Sequence, residues 1–183
     1  MIRLFVALRP PEPIRDLLFD LMDEVDAARW QDEEQLHLTL RFIGEVERPV
    51  AEDLADLLGQ LRSPALTACL AGVGIFGGER RAGALWAGVA PREPLLALHR
   101  KVDQLCVRVG LPPERRAFVP HVTVARLSRR SAAGPEIDRW LARHAALTSA
   151  PFPFDRVILY ASHLGRSGAT YDPVLEIPLA PVG

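Results

Sequence analysis

Two βαβαβ-like lobes in one chain are predicted by three observations: hydrophobic spacing that alternates between strand and helix periods, a restart of that order near residue 85, and a duplicated motif. The motif is His37-Leu38-Thr39-Leu40 in the first half and His121-Val122-Thr123-Val124 in the second. From the opening strand of each half to its histidine the distances are 33 and 36 residues, so the copies occupy matching places.

Element by element, Leu4 to Leu8 is a predicted strand, and Ile14, Leu17, Leu18, Leu21, Met22 and Val25 fall on one face of a helix. The first motif strand follows, about Leu36 to Ile43. A helix carries Val50, Leu54, Leu57, Leu58 and Leu61 and ends near Ser63-Pro64. Leu66 to Val73 is a third strand, running into a glycine-rich stretch, Gly74 to Gly83, expected to be a loop. That stretch lacks the strand, GxxxxGK[ST] and helix order of a phosphate-binding P-loop.

The second half repeats the order with a strand Leu85 to Val89, a helix through Leu95, Leu98, Val102, Leu105 and Val109, a proline-rich loop and the second motif strand. A shorter helix through Ile137, Trp140 and Leu141 and a strand Val157 to Ala161 complete it. Tyr171 to Leu179 contains Pro173 and Pro178, which suits an edge strand.

The chain has 183 residues, is 49% hydrophobic and carries a formal charge of -1. That bounds it to one domain or two small lobes sharing a core. Near-neutral charge argues against a protein that coats nucleic acid through many phosphate contacts. The apolar run Ile2 to Leu8 is broken by Arg9-Pro10-Pro11, too short for a signal peptide, and no later stretch has transmembrane length, so the cytoplasm is the expected setting. Cys69 and Cys106 lack metal-site spacing and are expected as buried thiols. Lys101 is the only lysine; arginines gather at Arg115, Arg116, Arg126, Arg129 and Arg130, where guanidinium groups suit phosphate oxygens.

In an extended strand alternate side chains share a face, so His37 and Thr39 project together while Leu38 and Leu40 anchor the strand, and the second copy repeats this. One H-x-T is common and a lone strand histidine is usually a packed residue. Two copies by chance are expected on the order of once in a hundred such chains. Together they offer two imidazoles for general acid and base work and two hydroxyls to hold one phosphate, without a metal.

These residues resemble the 2H phosphoesterases, and among them the RNA 2′,3′-cyclic phosphodiesterases, also called 2′-5′ RNA ligases. The likeness spans nearly the whole chain. It rests on Arg3-Leu4-Phe5-Val6-Ala7-Leu8, Leu36-His37-Leu38-Thr39-Leu40-Arg41-Phe42-Ile43-Gly44, Pro120-His121-Val122-Thr123-Val124-Ala125-Arg126 and Leu159-Tyr160-Ala161-Ser162-His163-Leu164-Gly165. The resemblance implies a single α+β domain over residues 1–183. Its two pseudo-symmetric lobes, about 1–80 and 81–183, would have antiparallel sheets whose central strands form a groove, with His37 facing His121 across it. It further implies hydrolysis of RNA or nucleoside 2′,3′-cyclic phosphates, possible ATP-independent 2′-5′ joining, His37 as proton donor, His121 as acceptor, Thr39 and Thr123 as phosphate donors, and no cofactor. A monomer is the expectation. Two departures from the pattern are Val124 where leucine is frequent and the acidic Asp32-Glu33-Glu34-Gln35 before the first motif, which is expected to weaken binding of a long RNA there.

Three further side chains are substrate-binding candidates. Alternation sends Arg126 to the face opposite His121 unless a bulge intervenes. Arg41 shares the parity of His37 and faces either the groove or a rim ion pair. Phe42 points by parity to the core, although it and Phe118 are of a type that stacks RNA bases. Among the other histidines, His99 and His144 are expected at surface or helix-end positions and His163 in a loop-orienting role. Competing readings are a metal site built from His37 and His121, a groove that binds nucleotides without turning them over, and an enzyme of small-metabolite cyclic phosphates such as ADP-ribose 1″,2″-cyclic phosphate.

Overall fold

The structure, a computed structural model, describes residues 1–78, 81–129, 133–165 and 168–181. Nine strands and four helices follow one another along these residues: β1 (Ile2–Leu8), α1 (Glu12–Phe19), β2 (Ala28–Trp30), β3 (Leu38–Val46), α2 (Arg48–Gly59), β4 (Leu66–Gly78), β5 (Arg81–Ala90), α3 (Arg92–Arg108), β6 (His121–Leu127), α4 (Pro135–His144), β7 (Phe152–Phe154), β8 (Arg156–Gly165) and β9 (Gly168–Pro178). Prolines in the first turn open α1, α2 and α4, where a missing N–H costs nothing.

The strands form two antiparallel sheets, ordered β3-β1-β8-β9 and β2-β6-β5-β4-β7. The expected α+β architecture with antiparallel sheets is therefore present, and the internal repeat is visible in both: motif strand, opening strand, then a third strand. That third strand is exchanged. β4, from the first half, lies in the second motif's sheet, and β8, from the second half, lies in the first motif's sheet. Lobes divided near residue 80 thus do not each own a sheet, because the short β4–β5 connection makes those two strands hairpin neighbours. Nor are the motif strands central: β3 is a sheet edge, and β6 has only the three-residue β2 outside it.

Alternation along β1 divides the interior. Leu4, Val6 and Leu8 join the main core with Leu18, Leu54, Leu58, Leu95 and Val102 from the helices, whereas Phe5 and Ala7 join Ile158 and Tyr160 in a small cluster on the opposite face. The helices cover the first face; the second is left for a groove.

Several local expectations change. α1 ends at Phe19, although Leu21 and Val25 beyond it remain buried. The expected loop Gly74 to Gly83 is instead the meeting of β4 and β5, apart from residues 79–80, which lie outside the described ones. Glycine is needed there for packing: a Cβ on Gly74 would fall 2.2 Å from the Trp86 ring, which lies over it, and Gly77 has φ +95°. β2 and β7, three residues each, are too short for periodicity to reveal. The edge strand at the end of the chain is β9, beginning earlier than expected.

Candidate active site

β3 and β6 approach one another, and between them lies a groove of about 650 Å³ walled by His37, Thr39, His121, Thr123 and Arg126. The four motif residues are all half-buried, while Leu38, Leu40, Val122 and Val124 are buried. The parity that places histidine and threonine together thus holds in both copies.

Beyond the motifs the parity inverts, and it does so identically. β1 pairs Ala7 with Thr39 and Val6 with Arg41, skipping Leu40; β5 pairs Trp86 with Thr123 and Leu85 with Ala125, skipping Val124. Each skip is a one-residue bulge that turns the following side chains over. Arg126 accordingly joins the groove face with His121. At the matching position in the first copy stands Phe42, 36% exposed, with the Arg3 guanidinium 4.9 Å from its ring centre. Phe42 borders the groove's side recesses rather than the core, contrary to simple alternation.

Arg41 shows the converse. The bulge buries it, 7% exposed, and its guanidinium lies 2.8 Å from Asp103 and 3.3 Å from Glu114 and donates to the carbonyls of Phe42 and Pro112. It ties β3 to α3 and to the loop before β6, and is not a groove residue. Glu114 in turn holds Arg116, whose bonds push the Glu114 carboxyl down to about 2. Of the remaining arginine cluster, Arg115 and Arg129 are exposed, and Arg130 lies outside the described residues.

A bulge strands a carbonyl, and here each is capped from the other half of the chain. His99 Nδ1 lies 2.6 Å from the Leu40 oxygen, and the Gln31 N–H donates to the Val124 oxygen at 2.9 Å. His99 is therefore buried, stacked 4.5 Å from Phe118, and not at the surface. His144 does end α4, and His163 is an exposed residue 3.0 Å from Asp172 across β8 and β9. Both cysteines are free, Cys106 buried and Cys69 half-buried.

The two imidazoles sit among rings: His37 against Phe5 and Tyr171 at 4.8 and 5.2 Å, His121 against Phe76 and Trp86 at 4.7 and 5.9 Å. His121 Nδ1 donates to the Val119 carbonyl at 2.6 Å, which leaves Nε2 as its free nitrogen; His37 bonds the Gln35 backbone. Desolvation lowers the His37 pKa to about 4 against that bond, helped by the Arg126 and His121 charges. Burial also lowers His121, with Arg126 adding to it. Both rings are therefore neutral in the open groove near pH 7. Among the described residues no three of His, Cys, Asp and Glu are grouped to hold a metal.

The acidic segment before the first motif is occupied elsewhere. Asp32 caps a 3-10 turn through the Gln35 N–H, Glu33 pairs with Arg9 and Arg15, and Glu34 pairs with Arg9.

Two imidazoles, two hydroxyls and a guanidinium thus surround one groove, a set of groups suited to holding a phosphate and moving protons to and from it. The family model of the 2′-5′ RNA ligase superfamily matches residues 4–166, and the chain belongs to that superfamily. Among curated proteins it is 30% identical over 153 residues to the RNA 2′,3′-cyclic phosphodiesterase of Aeropyrum pernix, covering 83% of this chain and 86% of that one. It is 28% identical over 177 residues to the protein of that name from Escherichia coli, covering 94% and 93%. Among solved structures, that of E. coli LigT complexed with 3′-AMP superposes with a TM-score of 0.76 at 27% identity, covering 97% of this chain and 98% of that one.

Proposed function

We propose that the chain hydrolyses 2′,3′-cyclic phosphate ends of RNA or nucleosides to 2′-phosphomonoesters, by proton transfer between His37 and His121. The convergence of both motifs and Arg126 on one groove carries this reading. Water attacks phosphorus and gives its proton to His121, while the bond from phosphorus to the 3′ oxygen breaks and His37 protonates that oxygen. In-line displacement requires acid and base on opposite sides of phosphorus, as two opposed strands allow. Thr39 and Thr123 donate hydrogen bonds to the non-bridging oxygens as charge builds there, and Arg126 adds a fixed positive charge.

Because desolvation keeps both rings neutral when the groove is empty, the acid must be charged with the substrate. The phosphate anion raises the pKa of each ring beside it and so loads the proton that the leaving oxygen will take. With a 5′-hydroxyl in place of water as the attacking group, the same displacement, the 3′ oxygen again leaving with the proton from His37, joins RNA ends through a 2′-5′ bond without ATP. The expected setting is the cytoplasm; no helix among the described residues is long and apolar enough to cross a membrane.

Phosphorus NMR of the product from a nucleoside 2′,3′-cyclic phosphate tests the reading. A 2′-phosphate is expected. A predominant 3′-phosphate would reverse the roles of the two histidines, and no turnover would leave a binding groove only.

A further inference from the structure

One feature of the groove is unfavourable in the free protein. In the β2–β6 pairing Arg29 lies directly opposite Arg126, and both are exposed. Side chains so placed have Cβ atoms about 4.5–5.5 Å apart, and like charges there repel. No carboxylate pairs with Arg3, Arg29 or Arg126 among the described residues. Glu33 and Glu34, which follow β2 in the sequence, are held by Arg9 and Arg15. An anion between the two guanidinium groups would relieve the repulsion.

The position of Arg29 says which anion. A recess of about 300 Å³ leads away from the central groove past His37; Arg29 and Arg126 wall both spaces, whereas His121 and Thr123 wall the groove and not this recess. Arg3, Gln31 and Ser162 line that recess too, and among the described residues none that line it is acidic. Both arginines border the groove, but the Arg126 charge acts on both imidazoles whereas the Arg29 guanidinium reaches to the recess side, where a Cβ on Gly168 would lie 3.6 Å from its Nη1. A phosphate between the motifs is thus served by Arg126, and Arg29 faces whatever follows along the strand.

We propose, resting on the function above, that Arg29 binds the phosphodiester on the 5′ side of the terminal nucleotide while Arg126 serves the reacting phosphate. The paired arginines are then a two-phosphate clamp that selects an oligonucleotide end over a mononucleotide. Long guanidinium side chains rooted side by side suit two successive phosphates of one strand.

The test compares Arg29→Gln with wild type on a trinucleotide ending in a 2′,3′-cyclic phosphate and on the matching nucleoside 2′,3′-cyclic phosphate, from 50 to 200 mM salt. The variant should lose at least tenfold more kcat/KM on the trinucleotide than on the nucleoside. Its salt dependence on the trinucleotide should weaken by about 0.7 in log-log slope, the loss of one single-strand phosphate contact. Arg29→Lys should keep part of the preference, which shows that charge and not misfolding sets it. Equal losses on both substrates would overturn the proposal by placing Arg29 at the reacting phosphate; no loss on either would overturn it by showing a solvated surface arginine. Wild-type protein that turns over neither substrate would fail the underlying function, a result distinct from both.

Discussion

Raising the pH tests how the acid is charged. With the His37 pKa lowered to about 4, about one free molecule in a thousand carries a proton there at pH 7, and His121 also titrates below 6.5. The apparent values belong to the pair, so the profile of kcat/KM, which reports the free protein, should peak between about pH 4 and 6.5. Above pH 6.5 it should fall about tenfold per pH unit. A bound phosphate anion beside the rings should raise their values by about one to three pH units, so the alkaline limb of kcat should lie that much higher than the limb of kcat/KM. Initial rates on a nucleoside 2′,3′-cyclic phosphate from pH 3.5 to 8.5 supply both profiles. Arg126→Gln removes a charge that lowers both histidines and should move the kcat/KM limb upward. A kcat/KM that stays level or rises to pH 8, or limbs that coincide, would refute the account of substrate-loaded protonation.

Replacing His37 or His121 by alanine should each lower turnover by about 10² to 10⁴-fold with a near wild-type melting curve, since each leaves a half-buried groove face and no core cavity; Thr39→Ala and Thr123→Ala should be milder. Lowered in the fold and ordinary in the unfolded chain, His37 contributes stability that is complete above pH 6.5 and is lost as pH falls towards 4, up to about 3 kcal/mol, so denaturant melts of His37→Gln should show a shallower acid decline. Arg41→Met strands two partly buried carboxylates and should cost about 3 kcal/mol in the same melts, whereas a loss under 1 kcal/mol would make the pairings ornamental. EDTA should leave turnover unchanged, and activity restored by one divalent ion would transfer the chemistry to a metal.

The four motif residues were legible because alternation is reliable as far as position 40 and position 124. Past those points it misleads, and the two copies differ in how openly they say so. In the second, Val124-Ala125-Arg126 puts two small apolar residues in a row before a charge, which is a readable sign of a bulge. The first, Leu40-Arg41-Phe42, hides the same bulge behind a buried arginine whose partners Asp103 and Glu114 are distant in sequence. Aligning the copies would have carried the bulge across, sending Phe42 to the groove and Arg41 inward. Arg29 offered no such sign. It stands in a three-residue strand whose partner across the sheet is set by tertiary pairing alone.

The exchange of β4 and β8 makes the chain hard to take apart in stages. Phe5 meets Tyr160 on the neighbouring strand, so the first sheet cannot close until nearly the whole polypeptide is present, and the second draws β4 from the opposite half. Such distant pairings favour slow, concerted assembly over independent folding of halves. The Leu40 and Val124 carbonyls add to this, for each is satisfied by a donor from the other half. Loosening either sheet withdraws a strand or a cap from its counterpart, and both imidazoles should lose their alignment together. Native-state hydrogen exchange would register this as one shared opening energy for β1, β3, β5 and β6. A molecule that is half unfolded would then hold no half-working site able to grip RNA without releasing it.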